Sequence, residues 1–377
     1  VDFSNTEEQQ MLQESVQKFV YKSYDFDTRN KIIATEKGFS DENWELFAEL
    51  GWLTVPFQEE DGGFGGSAVD LVVMMEEFGK AMLVEPFVAT TVLAGGLISE
   101  QGSAQQKAEL LPKIMEGKLQ LACAYAEPGS RFNLANIKTS AVADGDNIVL
   151  NGSKTAVLNG SNAEVLLVVA RESGAATDTT GVSVFMVDAT SAGVSIQAFA
   201  NVDGKKSAEI TLKDVSVSAT ARLGEAGSAL SALTAVVDRA TLAVSAEAVG
   251  AMEAMLHKTV EYSKTRKQFG TAIGTFQALQ HRMADMFIEC QLARSIAIMA
   301  AMKLDGGEDA TEKSKSVSAA KSRIGKAINK VGQEAIQIHG GIAMTEELDV
   351  GHLFKLVTAA EIMFGNTDYH TERFASL

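Results

Sequence analysis

The sequence predicts an α+β chain, mostly α, in three successive parts. These are an N-terminal helical domain over residues 1–121, a middle antiparallel β-barrel or sandwich domain over 122–222, and a C-terminal four-helix bundle over 223–377. Three observations predict it. Apolar residues recur at helical spacing up to about residue 121, and again from about residue 223. Between them lie short runs rich in Val and Ile, split by Gly, Asn and Asp, with no room for a helix of normal length. At 377 residues the chain is long enough for two or three domains around a large core.

Each element follows from local chemistry. In "SNTEEQQMLQESVQKFV", Ser4 or Asn5 is the expected N-cap, with Glu7 and Glu8 in the first turn and Met11, Leu12, Val16, Phe19 and Val20 on one face. "DENWELFAELGWL" repeats the pattern, with Gly51 as its C-terminal stop. "EEDGGFGGSAVD" is a glycine-rich loop entering another helix. From residue 122 the strand-like runs "NIVLNGSKTAVLNG", "AEVLLVVARES", "GVSVFMVDA", "GVSIQAF" and "SAEITLKDVSV" follow, and Asn-Gly occurs twice in the first, a hairpin signal. Three long helical patterns then span the remainder, with "LDGGEDATEK" as a turn between helices and Leu, Met and Ala filling the apolar stripes.

Composition excludes several functions. A formal net charge of −16 opposes nucleic-acid binding, which needs a basic face. Cys123 and Cys290 form no CxxC and read as small core residues. His257, His281, His339, His352 and His370 show no metal-ligand spacing. No apolar run reaches membrane-span length and the first residues are acidic and polar, so neither a signal peptide nor a transmembrane helix is expected and the cytoplasm is the expected location.

"TRKQFG" at 265–270, "FQALQHRMAD" after it and "QIHGGIAMTEE" at 337–347 are weak signals singly: Arg266, Lys267 and Gln277 suit a solvated helix face, and Gly340 and Gly341 suit a turn. Together they suggest more. An arginine binds a diphosphate through paired charge-assisted hydrogen bonds, adjacent glycines admit a phosphate to the backbone, and Phe269 offers a flat surface to a ring. This ordered set, with "AEPGSRFNLANIKTSA" and "LNGSKTAVLNG" in the middle, resembles the acyl-CoA dehydrogenase flavoprotein family over essentially the whole chain. The resemblance implies a helical, β and four-helix-bundle order, and a dimer or tetramer with FAD lying across a dimer interface. It implies that Arg266, Phe269, Gln277, Gln337, Gly340, Gly341 and Thr367 hold the diphosphate and adenosine of a neighbour's FAD. It implies that residues 123–130 and 154–160, including Ala126, Ser130, Ala156 and Leu158, surround the flavin ring. An acyl-CoA thioester is the implied substrate and an electron-transfer flavoprotein the implied acceptor. In the family's reaction a desolvated carboxylate takes the α-proton while the β-hydride leaves for the flavin.

The chain departs from that pattern where the chemistry occurs. The family's usual base, the Glu of a Y-E-G-T-like segment, falls on Gly365, and the alternative position on the first bundle helix falls on Ala240. Neither accepts a proton, nor does Asn366 at ordinary pH. Ala126 replaces a Thr, Ala156 a Trp and Leu158 a Thr of the flavin-ring contacts, while the diphosphate set is whole. Random decay would not sort losses in this way. The pattern points to one subunit of a heteromeric dehydrogenase, with a paralogous chain carrying the base. The alternatives are a homo-oligomeric dehydrogenase with a displaced acid or a non-catalytic scaffold subunit. The acids available to the former are Asp368, Glu361, Asp238 and Glu247, the last being ~10 Å along the helix from Ala240.

Overall fold

A computed structural model describes residues 5–377. The N-terminal helices are α1 (Glu7–Ser23), α2 (Phe26–Ile33), α3 (Asp41–Glu49), α4 (Ala68–Ala81), α5 (Gly96–Gln101) and α6 (Ala104–Met115), with a π-helical stretch Val88–Gly95 before α5. Ser4 lies outside the described residues, and Asn5 is not the cap of α1. Thr6 is: its hydroxyl accepts from Gln9 N–H at 3.2 Å, and the Gln9 side chain accepts from Thr6 N–H at 3.0 Å, a capping box. Gly51 follows α3 in the left-handed region (φ 76°), and Ser67 caps α4 as the glycine-rich loop predicts.

Strands β1 (Leu121–Ala124), β2 (Ser140–Asp144), β3 (Asn147–Leu158), β4 (Val165–Arg171), β5 (Val182–Asp188), β6 (Val194–Ala200), β7 (Lys206–Ser218) and β8 (Arg222–Leu223) form one sheet in the order β6-β7-β3-β2-β4-β5-β8, with β1 beside β4. Pairing is antiparallel except that β1 and β2 run parallel to β4, which corrects the all-antiparallel expectation. The reason is that β1 and β4 are joined through the β2–β3 hairpin and no helix is needed to bring them side by side. The Asn-Gly signals also resolve differently. The β2–β3 turn is made at Gly145 (φ 59°), whereas Asn151 and Gly152 sit inside β3, beside a register shift against β7. The sheet's apolar core includes Leu150, Leu166, Val168, Phe185, Ile210 and Val215.

The chain continues through α7 (Leu230–Thr265), the two-residue strands β9 (Lys267–Gln268) and β10 (Thr271–Ala272), α8 (Gln277–Asp305), α9 (Ala310–His339), α10 (Asp349–Ile362) and α11 (Thr367–Ser376). Helices α8, α10 and α11 pack on α9. The chain divides into two compact units, one of residues 1–31, 67–83 and 241–377, the other of residues 32–66 and 84–240. In the first, α4 and α7 approach so closely that a Cβ on Gly79 would strike the Glu247 carbonyl and one on Gly250 the Glu76 carbonyl. No helix among the described residues is long and apolar enough to cross a membrane. No cluster of metal-ligating side chains occurs among the described residues.

Candidate active site

The first group of residues lies in the unit that holds the C-terminal helices. At the end of α7 the Arg266 N–H donates to Tyr262 O and Arg266 O accepts from Ile273 N–H, both at 2.8 Å, so the chain turns back as a small hairpin. Its two loop residues, Phe269 and Gly270, both have positive φ (53° and 83°), as in the tight turns that two-residue hairpins favour. Phe269 is 94% exposed, packed only edge-on to Phe276 at 6.2 Å. Arg266, Gln277 and Gln337 are exposed. Among the described residues, the Arg266 guanidinium has no ion-pair or side-chain hydrogen-bond partner.

The Tyr262 ring stacks on His339 at 4.4 Å and its hydroxyl donates to His339 O at 3.2 Å, which brings the α9 terminus to the base of this hairpin. Gly340 follows with φ 71°, and a Cβ on Gly340 or Gly341 would meet nothing within 4 Å. Internal packing therefore leaves open space at both glycines. An exposed guanidinium and a stretch of bare backbone, on segments linked through Tyr262 and His339, are groups that suit an anionic diphosphate. Thr367 is placed differently. Its N–H donates to Glu361 Oε1 at 2.9 Å, and its hydroxyl is buried without a partner, facing Gly325 on α9. It does not join the exposed set.

The second group lies in the sheet-containing unit. The turn carrying Ala126 and Ser130 meets the β3 bulge at Ala156, where Thr155 N–H donates to Ala126 O at 2.9 Å. Ala156 is exposed with φ 51°, and Glu209 Oε1 accepts from Thr155 Oγ1 at 2.7 Å. Beneath them a buried ion pair joins Lys154 Nζ to Glu127 Oε1 at 2.6 Å. Glu127 also accepts from the N–H groups of Lys138 (2.7 Å) and Thr139 (3.0 Å). Burial pushes Lys154 down to about 8 against the pull of Glu127. Burial also pushes the Glu127 carboxyl up, but Lys154 and the amide donors outweigh it and hold it below its ordinary value. The Ser130 hydroxyl is committed to Glu127, accepting from its N–H at 3.1 Å and donating to its carbonyl at 2.9 Å. Ala126, Ala156 and Leu158 themselves offer no polar side chain to a ring.

At Gly365, the expected base position, φ is 119°, and a Cβ there would strike the Tyr369 ring and lie 2.7 Å from His370 Nε2. Phe364 before it has φ 60°. Burial and the Lys321 charge push His370 down to about 3, so the ring is neutral. Its Nε2–H donates to Phe364 O at 3.1 Å. Asn366 caps α11, accepting from Tyr369 N–H at 3.0 Å. Lys321, 1% exposed and pushed down to about 7 by burial, donates to Ala360 O. The segment is thus closed from inside. Of the acids nearby, Glu361 serves as the acceptor for Thr367 N–H and Asp368 is exposed on α11. Glu247 and Asp238 are buried on α7 and already have partners, and Ala240 is fully buried. One tuned carboxylate escaped the sequence: Glu76 on α4, which burial pushes up to about 7 although Arg294 Nε lies 3.2 Å away. Its only sequence signal was the Glu76–Glu77 pair interrupting the apolar run "LVVMM" of this helix.

The acyl-CoA dehydrogenase N-terminal, middle and C-terminal domain models match residues 6–118, 122–215 and 229–376 respectively. Among curated relatives, the probable acyl-CoA dehydrogenase YngJ of Bacillus subtilis is 30% identical over 373 residues, covering 98% of this chain and 97% of its own. The caffeyl-CoA reductase-Etf complex subunit CarC of Acetobacterium woodii is 30% identical, covering 93% and 92%. Among solved structures, the FAD complex of PigA superposes with a TM-score of 0.92 at 27% identity, covering 100% of this chain and 98% of that one. A chain of the ChsE4–ChsE5 complex from Mycobacterium tuberculosis superposes with a TM-score of 0.89 at 25% identity, covering 100% and 98%.

Proposed function

The chain belongs to the acyl-CoA dehydrogenase family, and from that premise we propose that it is an FAD-dependent subunit of a heteromeric acyl-CoA dehydrogenase whose catalytic base resides on a paralogous chain. FAD, when bound, supplies the hydride acceptor for α,β-dehydrogenation of an acyl-CoA thioester. This chain's part is to anchor it: Arg266, Gln277, Gln337 and the Gly340–Gly341 backbone take the diphosphate and adenosine, and Phe269 reaches toward the neighbouring subunit. The domain boundaries that go with this reading are 121/122 and 222/223.

The observation that carries the proposal is the closure of the segment around Gly365. The family's base position here has a backbone conformation that L side chains rarely adopt, and two rings fill the space a side chain would take. A side chain at this position would need both a backbone change and displaced rings, which supports the reading that the base lies elsewhere. The chemically silent ring-side residues Ala126, Ala156 and Leu158 agree with it. Within the family, "MLQESVQKFV", "AELGWLTVPFQEEDGGFGG", "AYAEPGSRFNLA" and "RKQFGTAIGTFQALQHRMAD" resemble the small subunit of pimeloyl-CoA dehydrogenase. An electron-transfer flavoprotein is the acceptor this reading implies.

Co-expression with a paralogue that carries the usual Glu tests it. The expected product is a mixed oligomer with fewer flavins than chains and dye-linked activity toward an acyl-CoA. Two separate homo-oligomers, each fully active with its own flavin, would refute it.

A further inference from the structure

The two parts of the cofactor anchor come from different helices, yet one side chain stands between them. Tyr262 lies one turn before Arg266, and its carbonyl accepts from Arg266 N–H at 2.8 Å. Its ring faces His339 in a stack of 4.4 Å and 29°, and its hydroxyl reaches His339 O at 3.2 Å. His339 is the last residue of α9, directly before Gly340. The His339 ring is fixed in turn, since Ala335 O lies 2.8 Å from Nδ1 and can only accept, so Nδ1 carries the proton. Burial holds this imidazole below its ordinary value, which keeps it neutral against the phenol.

A long α7 and a long α9 that merely ended near one another would leave the guanidinium and the glycine turn free to drift apart. Fixing a charged donor to within a fraction of an ångström of a bare backbone turn requires a rigid support. Taking the reading of Arg266 and Gly340–Gly341 as a cofactor anchor as its base, we infer that Tyr262 and His339 are positioning residues. They set the distance from the Arg266 hairpin to the glycine turn, so the anchor is already assembled in this chain before any partner arrives. Tyr262 acts through Arg266 and the Gly340 backbone.

A two-by-two cycle tests this on the full-length chain, with ADP and FAD as probes and calorimetric titration as the readout. Tyr262→Leu removes both ring and hydroxyl, and Arg266→Ala removes the group that Tyr262 is inferred to position. The expected result is that Tyr262→Leu weakens ADP and FAD roughly tenfold in the wild-type background and less than about twofold when Arg266 is already absent. Tyr262→Phe, which keeps the stack, should lose less. Equal losses in both backgrounds would mark Tyr262 as a general structural residue and overturn the inference. So would unchanged ADP affinity in Tyr262→Leu while Arg266→Ala weakens it. A wild-type chain that binds neither ADP nor FAD would overturn the anchor reading itself, and this inference with it. If Tyr262→Leu fails to fold, Tyr262→Phe carries the same cycle, with non-additivity supporting the inference and additivity overturning it.

Discussion

Gly365 holds a φ of 119° while two aromatic rings press on the place where a Cβ would project. Restoring the family's acid as Gly365→Glu therefore requires a backbone change as well as a displaced Tyr369 or His370. We expect this variant to be less stable than the parent by at least ~1 kcal/mol and to gain no turnover with the chain alone, measured by chemical denaturation and a dye-linked assay. The pH dependence of stability offers two independent checks nearby. His370 is held at about 3 when folded, below its ordinary value, so its contribution is present above pH 6.5 and is lost as pH falls toward 3. Relative to His370→Gln, the parent should lose ~1 kcal/mol between pH 6.5 and 5.5. Glu76 has the opposite sign. Its folded value of about 7 means that its contribution is full below pH 4.5 and disappears as pH rises through 7. Relative to Glu76→Gln, the parent should gain on acidification across that window. A stability difference that stays flat with pH in either pair would mean that the burial of that group has been misassigned.

The hairpin β9–β10 shows strain at the scale of an element. A phenylalanine with φ 53° and 94% exposure gains from its own chain only the edge contact with Phe276, and a glycine or asparagine would hold this φ more cheaply. Phe269→Asn should therefore leave the chain as stable or up to ~1 kcal/mol more stable, while flavin retained per assembled oligomer falls. Unchanged flavin content would remove Phe269 from the anchor. Much at this scale was legible in the sequence. The helical period over "LSALTAVVDRATLAVSAEAVGAMEAMLHKTVEYSKT" runs without a break and gives the 36 residues of α7, and Val- and Ile-rich runs gave the strands. What was not legible has physical reasons. Asn151–Gly152 has turn chemistry, but the same tolerance of unusual φ serves a bulge, and only the partner strand decides which. Thr6 outcompetes Ser4 and Asn5 as a cap because Gln9 stands three residues on to reciprocate. The motif carried Thr367 and Ser130 as site residues by position, yet side-chain direction is set by neighbours distant in sequence: Gly325 opens a place for one hydroxyl, and Glu127 engages the other. Gly365 was visible in the sequence as a residue with no side chain at the expected base position, but its left-handed backbone and the two closing rings were not.

At the scale of the whole molecule, a net charge of −16 makes association unfavourable unless a neutral surface mediates it. Helix α8 supplies such a surface: Ile288, Leu292, Met299 and Met302 are exposed along it at spacings of four, seven and three, with no charge among them. Light scattering should report a dimer or tetramer, and Leu292→Lys should reduce it. A monodisperse parent monomer at micromolar concentration would contradict a cofactor shared between chains. The proposed sharing would also limit what the isolated chain can do. A positioned acid–base group contributes ~10²–10⁴-fold to proton abstraction, and here neither Gly365 nor Ala240 can supply one. Glu361 is tied to Thr367 N–H, and Asp368 stands in solvent on α11. A solvated carboxylate is a weak base toward a thioester α-proton, because water stabilises its charged form and offsets the gain from proton transfer. The purified chain loaded with FAD, mixed anaerobically with saturated acyl-CoA thioesters of several lengths, should therefore keep its flavin absorbance, and the flavin should bleach only after the base-bearing paralogue is added. Rapid bleaching with the chain alone would mean that one of its own acids abstracts the proton. Asp368→Asn and Glu247→Gln, compared in the same experiment, would then identify which, since only the true base would slow flavin reduction by orders of magnitude while leaving flavin content unchanged.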